Sequence, residues 1–157
     1  MKPRRFLLYW APAIVWMLLV LAASTDMMSS EHTSRFLAPL MRWIMPDIQP
    51  EAVAFVQLIV RKLAHLTEYG VLAALLARAL CAGSDRLRWQ HVMITLGVAS
   101  LCAASDEFHQ SFVASRTGSL IDFWIDIAGA ILGVWIYWRF TRQSDLVGKH
   151  RREGRVE

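Results

Sequence analysis

The sequence has few of the residues that stabilise small secreted domains or keep a chain unfolded. It contains 2 cysteines in 157 residues, which excludes a disulfide-rich scaffold. Charged residues make up only 19% of the chain, and so low a fraction excludes intrinsic disorder. The length excludes a large multidomain enzyme, and the sequence shows neither an internal repeat nor a low-complexity segment.

Hydrophobic residues, by contrast, make up 55% of the chain and fall in long segments. Residues 6–23 carry no charge and are long enough to cross the ~30 Å hydrocarbon layer of a membrane. Further apolar segments lie at residues 53–80, 92–104 and 120–140. The pattern predicts an all-α integral membrane protein, with a four-helix bundle in a transmembrane domain of residues 1–140.

Three other parts of the sequence affect this topology. The first apolar segment could instead be a signal peptide, but its hydrophobic region is long for one and the rest of the chain also has the composition of a membrane protein. Residues 34–46 have apolar side chains at helical spacing, which predicts an interfacial amphipathic helix, with Pro39 as the feature against it. Residues 141–157 form a basic tail that we predict to be disordered.

Basic residues are distributed unevenly between the two sides of the predicted bundle. Twelve of the 17 Lys and Arg lie at the two ends of the chain or in the 78–91 loop, and three lie in the opposite loops. The positive-inside rule therefore predicts a multi-pass protein of the cytoplasmic membrane with both termini in the cytoplasm. We expect the basic tail to contact anionic membrane lipids rather than nucleic acid, because no nucleic-acid motif accompanies it.

Charged residues within the apolar segments are the most informative feature of the sequence. Away from the cytoplasmic ends of these segments they are Arg61, Lys62, Glu68, Asp122 and Asp126. Each would cost ~2.5–3.5 kcal/mol on insertion scales if it faced lipid at the bilayer centre. We therefore predict that these side chains face the interior of the bundle and one another.

Helical spacing supports this pairing. Four polar residues of the second apolar segment fall within an arc of roughly 80°: Gln57, Arg61, His65 and Glu68. Four residues of the last segment fall within roughly 60°: Asp122, Asp126, Gly129 and Gly133. The Gly-x-x-x-Gly spacing allows another helix backbone to approach closely. The two aspartates need a cation, which Arg61 and Lys62 supply.

A further polar group lies between the third and fourth apolar segments. It comprises Asp106, Glu107, His109, Gln110 and Arg116. In the predicted topology this loop lies on the outer side of the membrane, where the fourth segment also begins. The sequence thus predicts an outward-facing polar pocket, with Arg61 to Glu68 near mid-depth.

The motifs that carry these residues resemble a known family. The run R-K-L-A-H-L-T-E-Y at residues 61–69 is similar to a signature of the VanZ-like membrane proteins, as is D-E-F-H-Q-S-F at 106–112. Arg116, Ser119, the two aspartates and the two glycines follow in the same order, so the resemblance covers about residues 6–140. It implies a role connected with the accessory protein of teicoplanin resistance for which the family is named, although the biochemical activity of the family is not settled.

Ten residues are the predicted ligand-binding set: Arg61, Lys62, His65, Glu68, Asp106, Glu107, Gln110, Arg116, Asp122 and Asp126. Cations in a medium of low dielectric bind anions strongly, so the leading hypothesis is a site for an anionic envelope component such as a lipid-linked cell-wall intermediate. The protein would then affect glycopeptide susceptibility indirectly, by changing the surface density or the accessibility of the antibiotic's target.

Other hypotheses fit the same residues. A membrane-embedded hydrolase or transferase would use an acidic residue as its base and His65 as its partner. A proton-coupled transporter would use His65 and Glu68 as proton carriers. The residues could also form a salt-bridge network with a purely structural role. No catalytic residue, and no oligomeric state, can be assigned from the sequence.

The sequence predicts no cofactor and no metal. The polar residues have a composition like that of a metal site, but no H-E-x-x-H or comparable spacing of ligands is present. In addition, Arg61 and Lys62 would oppose a bound cation.

Overall fold

The structure is a computed structural model that describes residues 3–23, 30–82, 86–112 and 119–153. These residues form five α-helices and no strand. The helices are α1 (Pro3–Ala23), α2 (Ser30–Ile44), α3 (Pro50–Cys81), α4 (Trp89–Gln110) and α5 (Leu120–Glu153). The prediction of an all-α protein is confirmed.

The ends of the helices have local causes. α3 begins at Pro50, directly after Gln49 as its N-cap, because proline at the first helical position loses no hydrogen bond and already has a helical φ. Ser119 caps α5, since its Oγ accepts a hydrogen bond from the backbone N–H of Asp122 at 3.4 Å. Its carbonyl also accepts the N–H of Phe123 at 3.1 Å. α5 therefore starts at a fixed point, three residues before its first aspartate.

α3 lies at the centre of the bundle and packs against each of the other four helices. Its most extensive contact is with α5, and glycines make that contact close. A Cβ atom added to Gly129 would collide with the backbone carbonyl of Leu66, and one added to Gly133 would collide with that of Gly70. The two backbones touch here as the Gly-x-x-x-Gly spacing predicts.

Contacts at the end of α3 and in its middle part show how the other helices run beside it. Near its end the guanidinium of Arg78 lies 5.2 Å from the ring centroid of Tyr9 in α1. In the same region Cys81 Sγ lies 3.4 Å from Nδ1 of His91 in α4. In the middle part Arg61 contacts Gln110 of α4. Residues 61–81 of α3 thus span about 30 Å, the thickness of a hydrocarbon layer, with α4 alongside.

Three helical segments are long and apolar enough to cross a membrane: Phe6–Ala23, Pro50–Cys81 and Leu120–Arg142. Many of their large apolar side chains are exposed, including Leu7, Phe55 and Trp135. In water such a surface would be unfavourable, so these helices indicate a membrane protein. α4, which we predicted as a membrane-crossing helix, is less apolar than these three segments and is not among them. The four-helix transmembrane bundle stays a prediction.

Two further elements differ in extent from the prediction. α2 covers the predicted interfacial segment as a helix that includes Pro39, with Phe36 and Trp43 largely exposed. Its position at a membrane surface stays a prediction. α5 continues to Glu153, and the predicted end of the transmembrane domain at residue 140 and the disorder of the basic tail stay predictions. Both cysteines are free thiols.

Candidate polar site

The polar side chains gather at one end of the bundle, where α4 ends and α5 begins. α3 contributes Arg61, Lys62 and His65, while α5 contributes Asp122 and Asp126. The end of α4 contributes Asp106 and Gln110, which are buried. The site therefore lies beside the end of α4 and the start of α5, in the middle part of α3, and the predicted depth of Arg61 to Glu68 in the membrane stays a prediction.

The outer part of the site is an ion-pair group around Asp122. Lys62 Nζ lies 2.7 Å from Asp122 Oδ1, and Arg61 Nη2 lies 3.6 Å from Oδ2. The aspartate side chain is only 7% exposed, whereas the two basic side chains are 28–29% exposed. The carboxylate is thus covered by two cations that still reach the surface of the protein.

The inner part contains a histidine–carboxylate pair. His65 Nδ1 lies 3.0 Å from Asp126 Oδ1, with side-chain exposures of 7% and 0%. This contact lies one helical turn deeper than the Lys62–Asp122 pair on both helices, directly above the close contact at Gly129. A histidine held by a buried carboxylate has a fixed ring orientation, a property that general bases and metal ligands share.

α4 joins the site through its last turn. Gln110 Nε2 donates to Asp106 Oδ2 at 3.1 Å, and Gln110 Oε1 accepts from Arg61 Nη2 at 3.2 Å. Glu107 Oε2 accepts the backbone N–H of Ser119 at 2.5 Å. Gln110 therefore links α3 to α4, and Glu107 links α4 to the start of α5.

Several buried oxygens of the site have no hydrogen-bond partner among the described residues. They are the Tyr69 hydroxyl, Asp106 Oδ1, Glu107 Oε1 and Asp126 Oδ2. Such an atom is costly, because it has lost water without gaining a replacement. The base of the site can therefore still accept hydrogen bonds through these carboxylate oxygens and donate one through the tyrosine hydroxyl.

The structure brings together most of the ten predicted residues. Arg116 is the exception, since it lies outside the described residues. Glu68 lies on α3 one turn from His65 and is half-buried, and its backbone carbonyl accepts the indole N–H of Trp16 in α1 at 2.9 Å. His109 is exposed, unlike its neighbour Gln110. A ligand-binding role for the ten residues stays a prediction.

Sequence reasoning left two members of the site out of the predicted set. Tyr69 is fully buried, and Asp106 and Asp126 act electrostatically on its hydroxyl. Ser119 contributes the backbone N–H that Glu107 accepts and the hydroxyl that caps α5. Tyr69 follows His65 by four residues, so helical spacing alone could have placed it on the same face.

In the part of the chain that the structure describes, two sets of side chains could hold a metal ion. One set is His65, Asp106 and Asp126, and the other is His65, Glu107 and Asp122; within each, the ligand atoms lie within 4.8 Å of one another. In the second set, however, Asp122 already bonds to Lys62. The site thus combines a partly exposed basic edge with a buried base of histidine and carboxylates.

Comparison with known proteins gives one match. The family model described as VanZ/LLP1 matches residues 7–141, which is most of the chain and includes every residue of the polar site. No curated protein and no solved structure matches the chain. The resemblance seen in the sequence motifs is thereby confirmed.

Proposed function

The chain belongs to the VanZ/LLP1 family, and from its polar site we propose that it binds an anionic component of the cell envelope within the membrane. The ligand class is a phosphate or carboxylate on a lipid-linked cell-wall intermediate. As a member of this family, the protein would affect glycopeptide susceptibility indirectly, by changing the density or accessibility of the antibiotic's target.

The observation that carries this proposal is the partial exposure of Arg61 and Lys62 at the mouth of an otherwise buried site. Both of the contacts described for Arg61 use Nη2, and a guanidinium has five N–H donors. It can therefore donate to a phosphate or carboxylate while it still bonds to Gln110. Charge-assisted hydrogen bonds of this kind are about twice as strong as neutral ones.

The proposal includes an orientation in which the polar site faces outward and both termini lie in the cytoplasm. This orientation requires α4 to cross the membrane. Its support is the length of α4, 22 residues, and its contacts with α3 near residues 61 and 81. A reporter enzyme fused after residue 140 should be active only in the cytoplasm. Reporter activity on the outer side of the membrane would mean that α4 does not cross it. The chain would then cross three times, and the proposed outward orientation of the polar site would be wrong.

Direct binding tests the function. Purified protein in nanodiscs should bind a polyprenyl phosphate saturably, and Arg61→Gln should weaken binding at least tenfold. Arg42→Gln is the matched control, because Arg42 is exposed on α2 and outside the site. Equal binding by both variants, or no saturable binding by the wild type, would contradict the proposal.

A hydrolase or transferase is the second candidate, and the His65–Asp126 pair favours it. A histidine oriented by a buried carboxylate can act as a general base toward water or a hydroxyl group. In the same nanodisc experiment, release of phosphate that is lost in His65→Gln would indicate an enzyme. Saturable binding without turnover would support the binding function alone.

A further inference from the structure

The base of the polar site has an excess of negative charge. Among the described residues of the site, the basic side chains Arg61 and Lys62 face the carboxylates of Asp106, Glu107, Asp122 and Asp126, and both cations pair with Asp122. The group therefore carries a formal charge of −2 when His65 is neutral. Uncompensated charge is very unfavourable away from water, so a cation at this base would stabilise the protein.

Two of the side chains that could bind such a cation carry unpartnered oxygens. Asp106 and Asp126 are 3% and 0% exposed, and each has one carboxylate oxygen without a hydrogen-bond partner among the described residues. The fully buried Tyr69 hydroxyl is also unpartnered there, and both carboxylates act on it electrostatically. Tyr69 is thus a further buried polar side chain of the site whose hydroxyl has no partner among the described residues.

The donor atoms suit a metal. We propose that His65, Asp106 and Asp126 bind a divalent transition-metal ion, each offering one ligand atom. Ligand atoms ~2.1 Å from a metal can be up to ~4.2 Å apart, and these atoms already lie within 4.8 Å. An imidazole nitrogen together with carboxylates favours Zn²⁺ and similar ions over Mg²⁺.

Arg61 and Lys62 would repel a cation, as the sequence indicates. Both, however, pair with Asp122, with Lys62 Nζ 2.7 Å from its Oδ1, and the His65–Asp126 contact lies one helical turn further along both helices. The metal would join α3, α4 and α5, since each helix contributes one ligand. It does not depend on the anionic ligand proposed above.

Zinc retention by the full-length protein tests this site. The protein, purified in nanodiscs with a tag that lacks histidine, is equilibrated with Zn²⁺, desalted and analysed by elemental mass spectrometry. We expect about one Zn²⁺ per chain in the wild type and at least a tenfold loss of affinity in Asp126→Asn and Asp106→Asn. Asp47→Asn is the matched control, because Asp47 is exposed before α3, and it should retain the metal.

Two further measurements cover variants that fail to fold. In the wild type alone, Zn²⁺ should raise the melting temperature and a chelator should reverse the rise, because a ligand that binds only the folded state stabilises it. X-ray absorption should show one histidine nitrogen and several oxygens around zinc. A sulfur neighbour would instead indicate the Cys81–His91 pair.

The proposal is overturned by any of three results. The first is retention of less than a tenth of an equivalent of Zn²⁺ by the wild type, with no change in melting temperature. The second is retention of as much zinc by both aspartate variants as by Asp47→Asn. The third is loss of retention in His91→Gln, which would assign the metal to Cys81 and His91. Failure to bind polyprenyl phosphate would contradict the proposed function and leave the metal site intact.

Discussion

The contact between α3 and α5 has two halves that are built differently. In one half, Gly129 and Gly133 allow the two backbones to touch, and no side chain lies between Gly133 and Gly70. In the other half, Lys62 reaches Asp122 and His65 reaches Asp126 through side chains. The same two helices thus pass from direct backbone contact to a polar site within about two turns.

The difference shows how a bundle can hold charged groups in an apolar environment. Backbone contact aligns the helices by shape, which does not depend on charge or pH. One turn beyond it, the helices present their polar residues face to face. The glycine half would therefore determine where the polar half lies, and changes to each half should have effects of different size.

The largest effect is expected from Gly133→Ala. The added Cβ would collide with the backbone carbonyl of Gly70, and neither backbone can move without separating the helices. We expect a loss of ~2 kcal/mol or more in the free energy of unfolding, measured by denaturant titration in detergent micelles.

Gly97→Ala is the control for this change. A Cβ at Gly97 would have no neighbour within 4 Å, so alanine should stabilise α4 by up to ~1 kcal/mol through its helix propensity. The two substitutions should then have opposite signs. Equal effects would mean that backbone contact does not hold the helices together.

An intermediate effect is expected from Asp122→Ala in the polar half. It leaves Lys62 and Arg61 without their shared carboxylate, and because both cations are partly exposed we expect a loss of ~1–2 kcal/mol. A double-mutant cycle with Lys62→Ala should give a coupling of ~1 kcal/mol. The coupling with Arg61→Ala should be smaller, because that contact is longer, 3.6 Å against 2.7 Å. The reverse order would refute the assignment of Lys62 as the main partner.

The smallest effect is expected outside the α3–α5 contact. Trp16→Phe keeps most of the apolar area but removes the hydrogen bond from the indole N–H to the Glu68 carbonyl. We expect a loss of ~1 kcal/mol with little change in ligand binding. Trp124→Phe, at an exposed position, should be nearly neutral. If Trp16→Phe abolished binding instead, α1 would belong to the site.

Much of the α3–α5 contact could be predicted from the sequence, because it depends on helical spacing. Charges in apolar segments had to face inward, and Arg61 and Lys62 were matched with the aspartates of α5 on that ground. The glycine spacing also predicted a close approach below those aspartates. These are properties of single helices, which one sequence is sufficient to show.

The parts that could not be predicted depend on how different helices meet. No spacing rule shows that Gln110 is buried between Arg61 and Asp106 while His109, next in the chain, is exposed. The contact of Arg61 with the last turn of α4 likewise depends on how these two helices pack against each other. Helical spacing does not contain this information, which comes from packing between elements.

The backbone contact at Gly129 and Gly133 has a consequence for experiments on the site. Since the helices are aligned by atoms that no side-chain substitution in the polar half removes, exchanging Lys62, His65 or Asp126 should alter donors and charge while the spacing of the helices stays constant. In the polar half, side chains can thus be substituted while the distance between α3 and α5 stays the same. A histidine in place of Lys62, for example, would offer a second imidazole to the same end of the bundle.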